Sequence, residues 1–312
     1  MKILITGPYG YLGGRITDFL YKNGHELTLV SRYIKEDTQF YENVKFKQVN
    51  WDASECLLEI CYEIDLIIHT SGINSEECEK NPLMALQHNG LTTTRLLDAA
   101  IRSKVKSFIY FSTIHTYGTD LDYVITEKSC CTNIHPYASS HKIAEENLLY
   151  AHSKGLINSI IFRISNVFGA PIDKNVNCWG LFVNNICKQI VTENKICIKS
   201  KYNIKKNFIP INTFLNILNN FIFLNFEKNK NTVFNIGYEY SISLIEMAEL
   251  INKLYNKNFN IEYNFVSNEI INPNFDFSIN KIIDNNLYTS TNMEDELNKL
   301  LIFCRQNYFN EG

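Results

Sequence analysis

Short apolar runs alternate with stretches of helical spacing along most of this chain. Ile3-Leu4-Ile5 is too short for a helix and rich in β-branched residues, which predicts a buried strand. The same pattern predicts strands over His25–Val30, Val44–Val49, Asp65–Thr70, Ser107–Phe111 and Ile157–Phe162. Arg15–Lys22 and Asn81–Ala100 carry helical spacing between them. In the second of these, Pro82 stands near the start and Leu86, Leu97 and Ile101 lie among the apolar positions. Such alternation predicts an α/β chain with a Rossmann-type, doubly wound parallel sheet covered by helices on both faces.

Beyond Gly169-Ala170-Pro171 the chain becomes denser in Asn, Ile and Lys, and the alternation less regular. That change places a boundary there. One domain over residues 1–169 and a smaller C-terminal α/β domain over 170–312 are expected, with a segment near 205–237 returning to the first. Leu244–Leu254 has amphipathic helical spacing, and Ser243 stands before it as the N-cap.

The candidate chemistry begins in the first loop. Gly7, Gly10 and Gly13 follow the first strand and precede a helix. Gly7 suits a tight turn, Gly10 lets a pyrophosphate approach the backbone, and Gly13 lets the helix lie close on the sheet. The loop, with Tyr9, Tyr11 and Leu12, is therefore expected to face a dinucleotide cofactor. Ser31-Arg32 ends the second strand, where an acidic residue would accept from the ribose 2′-hydroxyl of NAD and an arginine would pair with the 2′-phosphate of NADP. NADP(H) is the favoured cofactor on this ground, with NAD(H) the alternative. Asp52 is placed to accept from the adenine amino group. Thr70, Ser71 and Gly72 end the next strand with small residues near the cofactor.

Composition narrows the partners. The 312 residues suffice for a full core, the formal net charge is −3, and no basic stripe is present, which argues against nucleic acid and anionic membrane. No apolar run is long enough to cross a bilayer, and Met1-Lys2 leads directly into the first strand without a signal segment. Nine cysteines without a C-x-x-C pair read as reduced thiols rather than a disulfide framework or a zinc site, so a soluble cytoplasmic protein without metal is expected.

Taken together, these stretches resemble the extended short-chain dehydrogenase/reductase family, in particular its nucleotide-sugar epimerases, dehydratases and reductases. Thr6-Gly-Pro-Tyr-Gly-Tyr-Leu-Gly13 resembles the family's T-G-x-x-G-x-x-G opening, and Phe111-Ser-Thr-Ile-His-Thr-Tyr-Gly118 its S-S/T-x-x-V-Y-G strand end. Arg163-Ile-Ser-Asn-Val-Phe-Gly169, Lys206-Asn-Phe-Ile-Pro-Ile211 and Phe234-Asn-Ile-Gly237 are similar to later motifs. Asn89 stands where the family keeps an Asn in a helix under the active site and near the cofactor.

The resemblance implies Tyr137 as acid/base and Thr113 as the hydroxyl that orients the reacting oxygen. The family's tyrosine motif is Y-x-x-x-K, but four residues after Tyr137 stands His141, and the lysine falls one place later at Lys142. Positions i and i+4 share a helix face while i+5 turns a further ~100°, so His141 is the candidate to reach the nicotinamide ribose. A lysine there lowers the tyrosine pKa, and a histidine, only partly charged near neutral pH, lowers it less. A tyrosine that holds its proton suits donation during reduction. The dehydratases' Asp-Glu pair is replaced by Ile114-His115, which sets dehydration aside. Asn166 and Lys206 are candidates for the substrate's sugar and diphosphate.

The expectation is an oxidoreductase that reduces a keto group, at C4, of a nucleotide-linked sugar with NADPH. The first alternative is a C4 epimerase or sugar dehydrogenase with tightly held NAD(H). A second, from another class, is a non-catalytic NAD(P)-binding sensor. A homodimer is implied by the resemblance.

Overall fold

The structure is a computed structural model and describes residues 1–35, 41–118, 121–223, 232–255, 260–263, 265–266 and 269–309. The strands are β1 (Lys2–Thr6), β2 (Glu26–Ser31), β3 (Lys45–Gln48), β4 (Leu66–His69), β5 (Ser107–Thr113), β6 (Val124–Ile125), β7 (Asn158–Ile164), β8 (Asn166–Phe168), β9 (Ile196–Ile198), β10 (Lys205–Pro210), β11 (Val233–Ile236), β12 (Ser241–Ser243), β13 (Ile261–Tyr263) and β14 (Asp276–Phe277). The helices are α1 (Tyr11–Lys22), α2 (Ser54–Cys61), α3 (Ser75–Lys80), α4 (Pro82–Ala85), α5 (Thr92–Arg102), α6 (Pro136–Ser153), α7 (Phe182–Thr192), α8 (Ile211–Phe223), α9 (Leu244–Tyr255), α10 (Asn280–Asp284) and α11 (Met293–Tyr308).

The chain forms two compact units. The first holds residues 1–118, 131–163 and 225–234, and the second 119–130, 164–224 and 235–312. The division is not a single cut, because 119–130 joins the second unit and 225–234 returns to the first.

A seven-stranded sheet in the order β11-β7-β5-β4-β1-β2-β3 dominates the first unit. The pairs β1–β2, β1–β4, β2–β3 and β4–β5 are parallel. Parallel strands covered on both faces should read as unbroken apolar runs, and β4 and β5 are buried at every position. Leu4, Ile67, Phe108 and Ile161 meet Leu96, Ala100, Leu148 and Ala151 in one core cluster. Each such Leu, Ile or Phe side chain contributes roughly 1.5–3 kcal/mol on burial. The order turns at β1, where β4 lies on one side and β2 on the other, and the loop after β1 opens at that turn.

The helix expected over Asn81–Ala100 is divided. After α4 the backbone widens into a π-helical turn, Leu86–Leu91, before α5 begins. Threonine hydroxyls take up carbonyls at this widening. Thr92 Oγ1 donates to the Gln87 carbonyl at 2.9 Å, Thr93 Oγ1 to Asn89 at 2.7 Å and Thr94 Oγ1 to Gly90 at 3.0 Å. The turn places Asn89 with only 1% of its surface exposed.

In the second unit β12, β10 and β8 form one small sheet, with β10 parallel to β8 and antiparallel to β12. The pairs β9–β13 and β6–β14 form two further ones. Ser243 caps α9 as expected: its hydroxyl accepts from Glu246 N at 3.2 Å, and Glu246 Oε2 accepts from Ser243 N at 2.6 Å.

Candidate active site

The glycine loop turns tightly and leaves one side open. Gly7 has φ +66°, a conformation that favours glycine, and its N–H donates to the Val30 carbonyl at 3.1 Å. A Cβ on Gly13 would stand 2.1 Å from the Gly7 carbonyl oxygen and 2.8 Å from Thr70 Oγ1, so α1 packs on the turn with no space for a side chain. Gly10 is exposed, and a Cβ there would meet only the Gly7 oxygen at 3.4 Å. Its open side, with the first N–H groups of α1 beside it, fits a pyrophosphate. Tyr11 and Leu12, half-buried, begin that helix.

Tyr9 leaves the loop and closes on the segment after β2. Its ring stacks on Tyr33 with centroids 5.7 Å apart, its hydroxyl accepts from Lys35 N at 3.1 Å, and the Lys35 ammonium lies 5.0 Å from the ring centre. Ser31 ends β2, its carbonyl accepting from Val49 N at 2.9 Å. Arg32 follows and lines a cleft of about 320 Å³ with Asn50, Trp51, Asp52, Gln87 and His88. Asp52 is in this cleft, and one of its carboxylate oxygens, Oδ1, pairs with the Arg95 guanidinium.

Beneath the loop runs a buried chain of polar side chains that sequence reasoning missed. Thr6 Oγ1 accepts from Thr70 N and Ser71 N, both at 3.1 Å, and lies 2.8 Å from His69 Nδ1. His69 Nε2 lies 2.9 Å from Thr93 Oγ1, which itself donates to the Asn89 carbonyl. With both Thr6 acceptor sites used, the Thr6 hydroxyl donates to His69 Nδ1, and His69 Nε2–H donates to Thr93. Burial pushes the His69 pKa down to about 3, keeping the ring neutral. The Asn89 side chain accepts from Ile73 N at 2.9 Å and donates to Ser140 Oγ at 3.2 Å. Gly72 lies against it, since a Cβ there would stand 2.9 Å from Asn89 Oδ1.

Thr113, Tyr137 and His141 come together in the first unit. Thr113 is the last residue of β5, and its hydroxyl accepts from His115 N at 3.2 Å as the chain turns. His135 caps α6 by accepting from Tyr137 N at 3.2 Å, with Pro136 in the first turn. Tyr137 and His141 then share a helix face, their rings edge to face with centroids 4.6 Å apart. Lys142 points elsewhere, to Glu146 at 2.9 Å and Glu145 at 3.6 Å, and α6 runs as α-helix throughout. Glu145 is itself held by Arg163, with Nε to Oε1 at 3.0 Å and Nη2 to Oε2 at 2.6 Å.

The electrostatics go further than a partly charged histidine. Burial drives the His141 pKa down to about 4; Glu145 opposes this and His115 adds to it. His141 is therefore neutral near pH 7 and does not supply the positive charge that a lysine would bring beside Tyr137. Desolvation raises the Tyr137 phenol to about 12 against a hydrogen bond from Thr113 that lowers it. His141 Nδ1 lies 2.7 Å from the hydroxyl of Tyr110, a polar residue inside the buried strand β5. A tyrosine and a histidine within apolar strands were the available signals for Tyr110 and His69.

The other two candidates belong to the second unit. Asn166, at the start of β8, donates to the Asn207 carbonyl at 2.8 Å. Lys206 stands on β10 opposite Ile242, and burial lowers its pKa. Among the described residues no cluster of three His, Cys, Asp or Glu is arranged to hold a metal, and no helix is long and apolar enough to cross a membrane.

Curated proteins are similar in sequence, and solved structures share the fold. The chain is 24% identical over 269 residues to the UDP-glucose 4-epimerase of Lactobacillus helveticus, covering 81% of this chain and 82% of that protein. It is 26% identical over 279 residues to the dTDP-D-glucose 4,6-dehydratase of Dictyostelium discoideum, covering 80% of this chain but only 61% of that one. The solved UDP-glucuronic acid 4-epimerase of Bacillus cereus, in complex with UDP-glucuronic acid and NAD, superposes with a TM-score of 0.80 at 20% identity, over 99% of this chain and 100% of that chain. The family model for NAD dependent epimerases and dehydratases matches residues 3–237. This chain belongs to the NAD dependent epimerase/dehydratase family.

Proposed function

We propose that the protein is a nucleotide-sugar 4-epimerase that keeps NAD(H) through its cycle. The observation that carries this reading is the set of groups around Tyr137. Thr113 and Tyr137 supply what oxidation of a sugar hydroxyl and return of the hydride require, one hydroxyl to orient the oxygen and one to exchange its proton. Elimination of water needs a further acid and base after Thr113, and there Ile114 and His115 stand instead of Asp-Glu. Epimerisation needs no such pair. The loop of Gly7, Gly10 and Gly13 and the cleft beside Arg32 would hold the dinucleotide, which when bound accepts a hydride from the sugar carbon and gives it back. Tyr137 holds and moves the proton at the sugar oxygen, Thr113 orients that oxygen, and His141 holds the nicotinamide ribose. Asn166 and Lys206 of the second unit are the proposed contacts to the sugar and its diphosphate. Relatives that act on UDP-sugars, and a similar structure with NAD bound, support the reading.

A second reading, reduction of a 4-keto sugar by NADPH, is favoured by Arg32 at the cleft and by a Tyr137 that holds its proton at neutral pH. A homodimer belongs to both readings. Its support is the exposed apolar side chains of Leu83, Leu86, Leu91, Ile143 and Tyr150 in the α4-to-α5 region and on α6.

The test is incubation of the purified protein with UDP-glucose, UDP-glucuronic acid and their N-acetylamino counterparts, without added cofactor, followed by NMR of the sugar protons. C4 inversion together with release of NAD(H) on denaturation is the expected result. No inversion, little retained nucleotide and oxidation of NADPH on adding a 4-keto sugar would replace the epimerase with the reductase.

A further inference from the structure

We propose that Tyr110 is a positioning residue for His141: its hydroxyl donates to Nδ1, fixing the imidazole as the Nε2–H tautomer and so making it a hydrogen-bond donor to the nicotinamide ribose where a lysine ammonium would otherwise stand. The inference rests on the ribose role assigned to His141 above and deepens it.

The geometry carries it. The Tyr110 oxygen and His141 Nδ1 are 2.7 Å apart, both residues are buried, and their rings lie with centroids 5.8 Å apart. A phenol O–H is a strong donor and its oxygen a weak acceptor, whereas a neutral imidazole nitrogen accepts well. Thr93, also bonded to Tyr110, has its hydroxyl hydrogen committed to the Asn89 carbonyl and one lone pair to His69 Nε2–H, and its remaining alcohol lone pair accepts less well than an imidazole nitrogen. The His69 ring stacks against Tyr110 with centroids 6.1 Å apart and closes that side. The stronger acceptor draws the Tyr110 hydrogen to His141 Nδ1, and Nε2 carries the ring's one N–H.

A neutral histidine presents one N–H, and only in one tautomer does it do so at Nε2. A lysine has three equivalent hydrogens and needs no such arrangement. The strand β5 residue that would be an ordinary core position beside lysine thereby becomes a requirement beside histidine.

The experiment joins a spectroscopic readout of the protein without cofactor to a cycle of variants. Long-range ¹⁵N–¹H correlation at pH 7 should show His141 as the Nε2–H tautomer, with Tyr110→Phe giving a mixture. NAD affinity, measured by calorimetry on protein stripped of nucleotide, should fall about three- to tenfold in Tyr110→Phe. The same change made in His141→Lys protein should leave affinity within about twofold, because the cycle isolates the coupling of the two side chains. An Nδ1–H tautomer in the unaltered protein, or equal losses of affinity in both backgrounds, would overturn the proposal. A protein that shows the tautomer and the coupling but inverts no sugar would uphold the role of Tyr110 and sink the epimerase reading instead.

Discussion

The rings of Tyr137 and His141 meet edge to face at 4.6 Å, and the lysine next to His141 turns away to Glu146. The histidine, not the lysine, therefore shares the face of α6 that carries the proposed acid/base. Tyr137→Phe removes only the hydroxyl. It is expected to lower turnover by about a hundred- to ten-thousandfold, the usual range for a positioned acid/base, while NAD affinity stays within about threefold. Parallel turnover and calorimetric measurements check this; an unchanged rate would remove Tyr137 from the chemistry.

Charge at position 141 decides the pH dependence. With His141 neutral and burial raising the Tyr137 phenol to about 12, the phenolate fraction grows as pH rises through the alkaline range. The rate of sugar oxidation should therefore increase with pH. His141→Lys places a cation beside the phenol, and the rising limb should move to lower pH by about 1–3 pH units. A pH profile of both proteins in single-turnover oxidation reads this directly, and coincident profiles would contradict it.

Much of the first unit was legible in the sequence because its strands are covered on both faces, so burial leaves an unbroken apolar run such as Leu66-Ile67-Ile68. The glycine spacing was equally legible, since a Cβ on Gly13 collides with the turn whatever the rest of the chain does. The displaced lysine could be read from helix periodicity alone. Tyr110 could not, because it lies 31 residues from His141 and only sheet-to-helix packing joins them. Nor could the widened turn that buries Asn89, which depends on which carbonyls Thr92, Thr93 and Thr94 reach. The partner of Asp52 was equally hidden, since Arg95 lies 43 residues on.

Gly13 offers a test of the loop that is independent of catalysis. Its missing Cβ faces backbone, the Gly7 carbonyl, rather than the end of a yielding side chain. Gly13→Ala must push α1 off the turn, at a cost of about 1–3 kcal/mol, the range for overpacking a closed site. Thermal melting should show that loss, and NAD affinity should fall with it. Gly10→Ala, whose Cβ meets only one atom at 3.4 Å, should melt close to the unaltered protein yet bind NAD more weakly. Equal melting losses in the two variants would contradict the packing described for α1.

The buried histidines give the fold its own pH dependence. His69 and His141 have pKa values lowered by burial to about 3 and about 4, against 6.5 for an ordinary histidine. Between those values the unfolded chain binds protons that the folded chain refuses, so acid favours unfolding. Their contribution to stability is complete above about pH 6.5 and is lost as pH falls below it. For His141 the loss ends near pH 4, where the folded protein takes up the proton as well. Each group supplies a slope of up to about 1.4 kcal/mol per pH unit in that window. Urea unfolding between pH 7 and pH 5 should show stability falling with acid, and His141→Gln should reduce the slope relative to the unaltered protein. An identical slope in the variant would mean that His141 is already free to take a proton in the folded state, and the neutral ring assigned to it beside Tyr137 would be wrong.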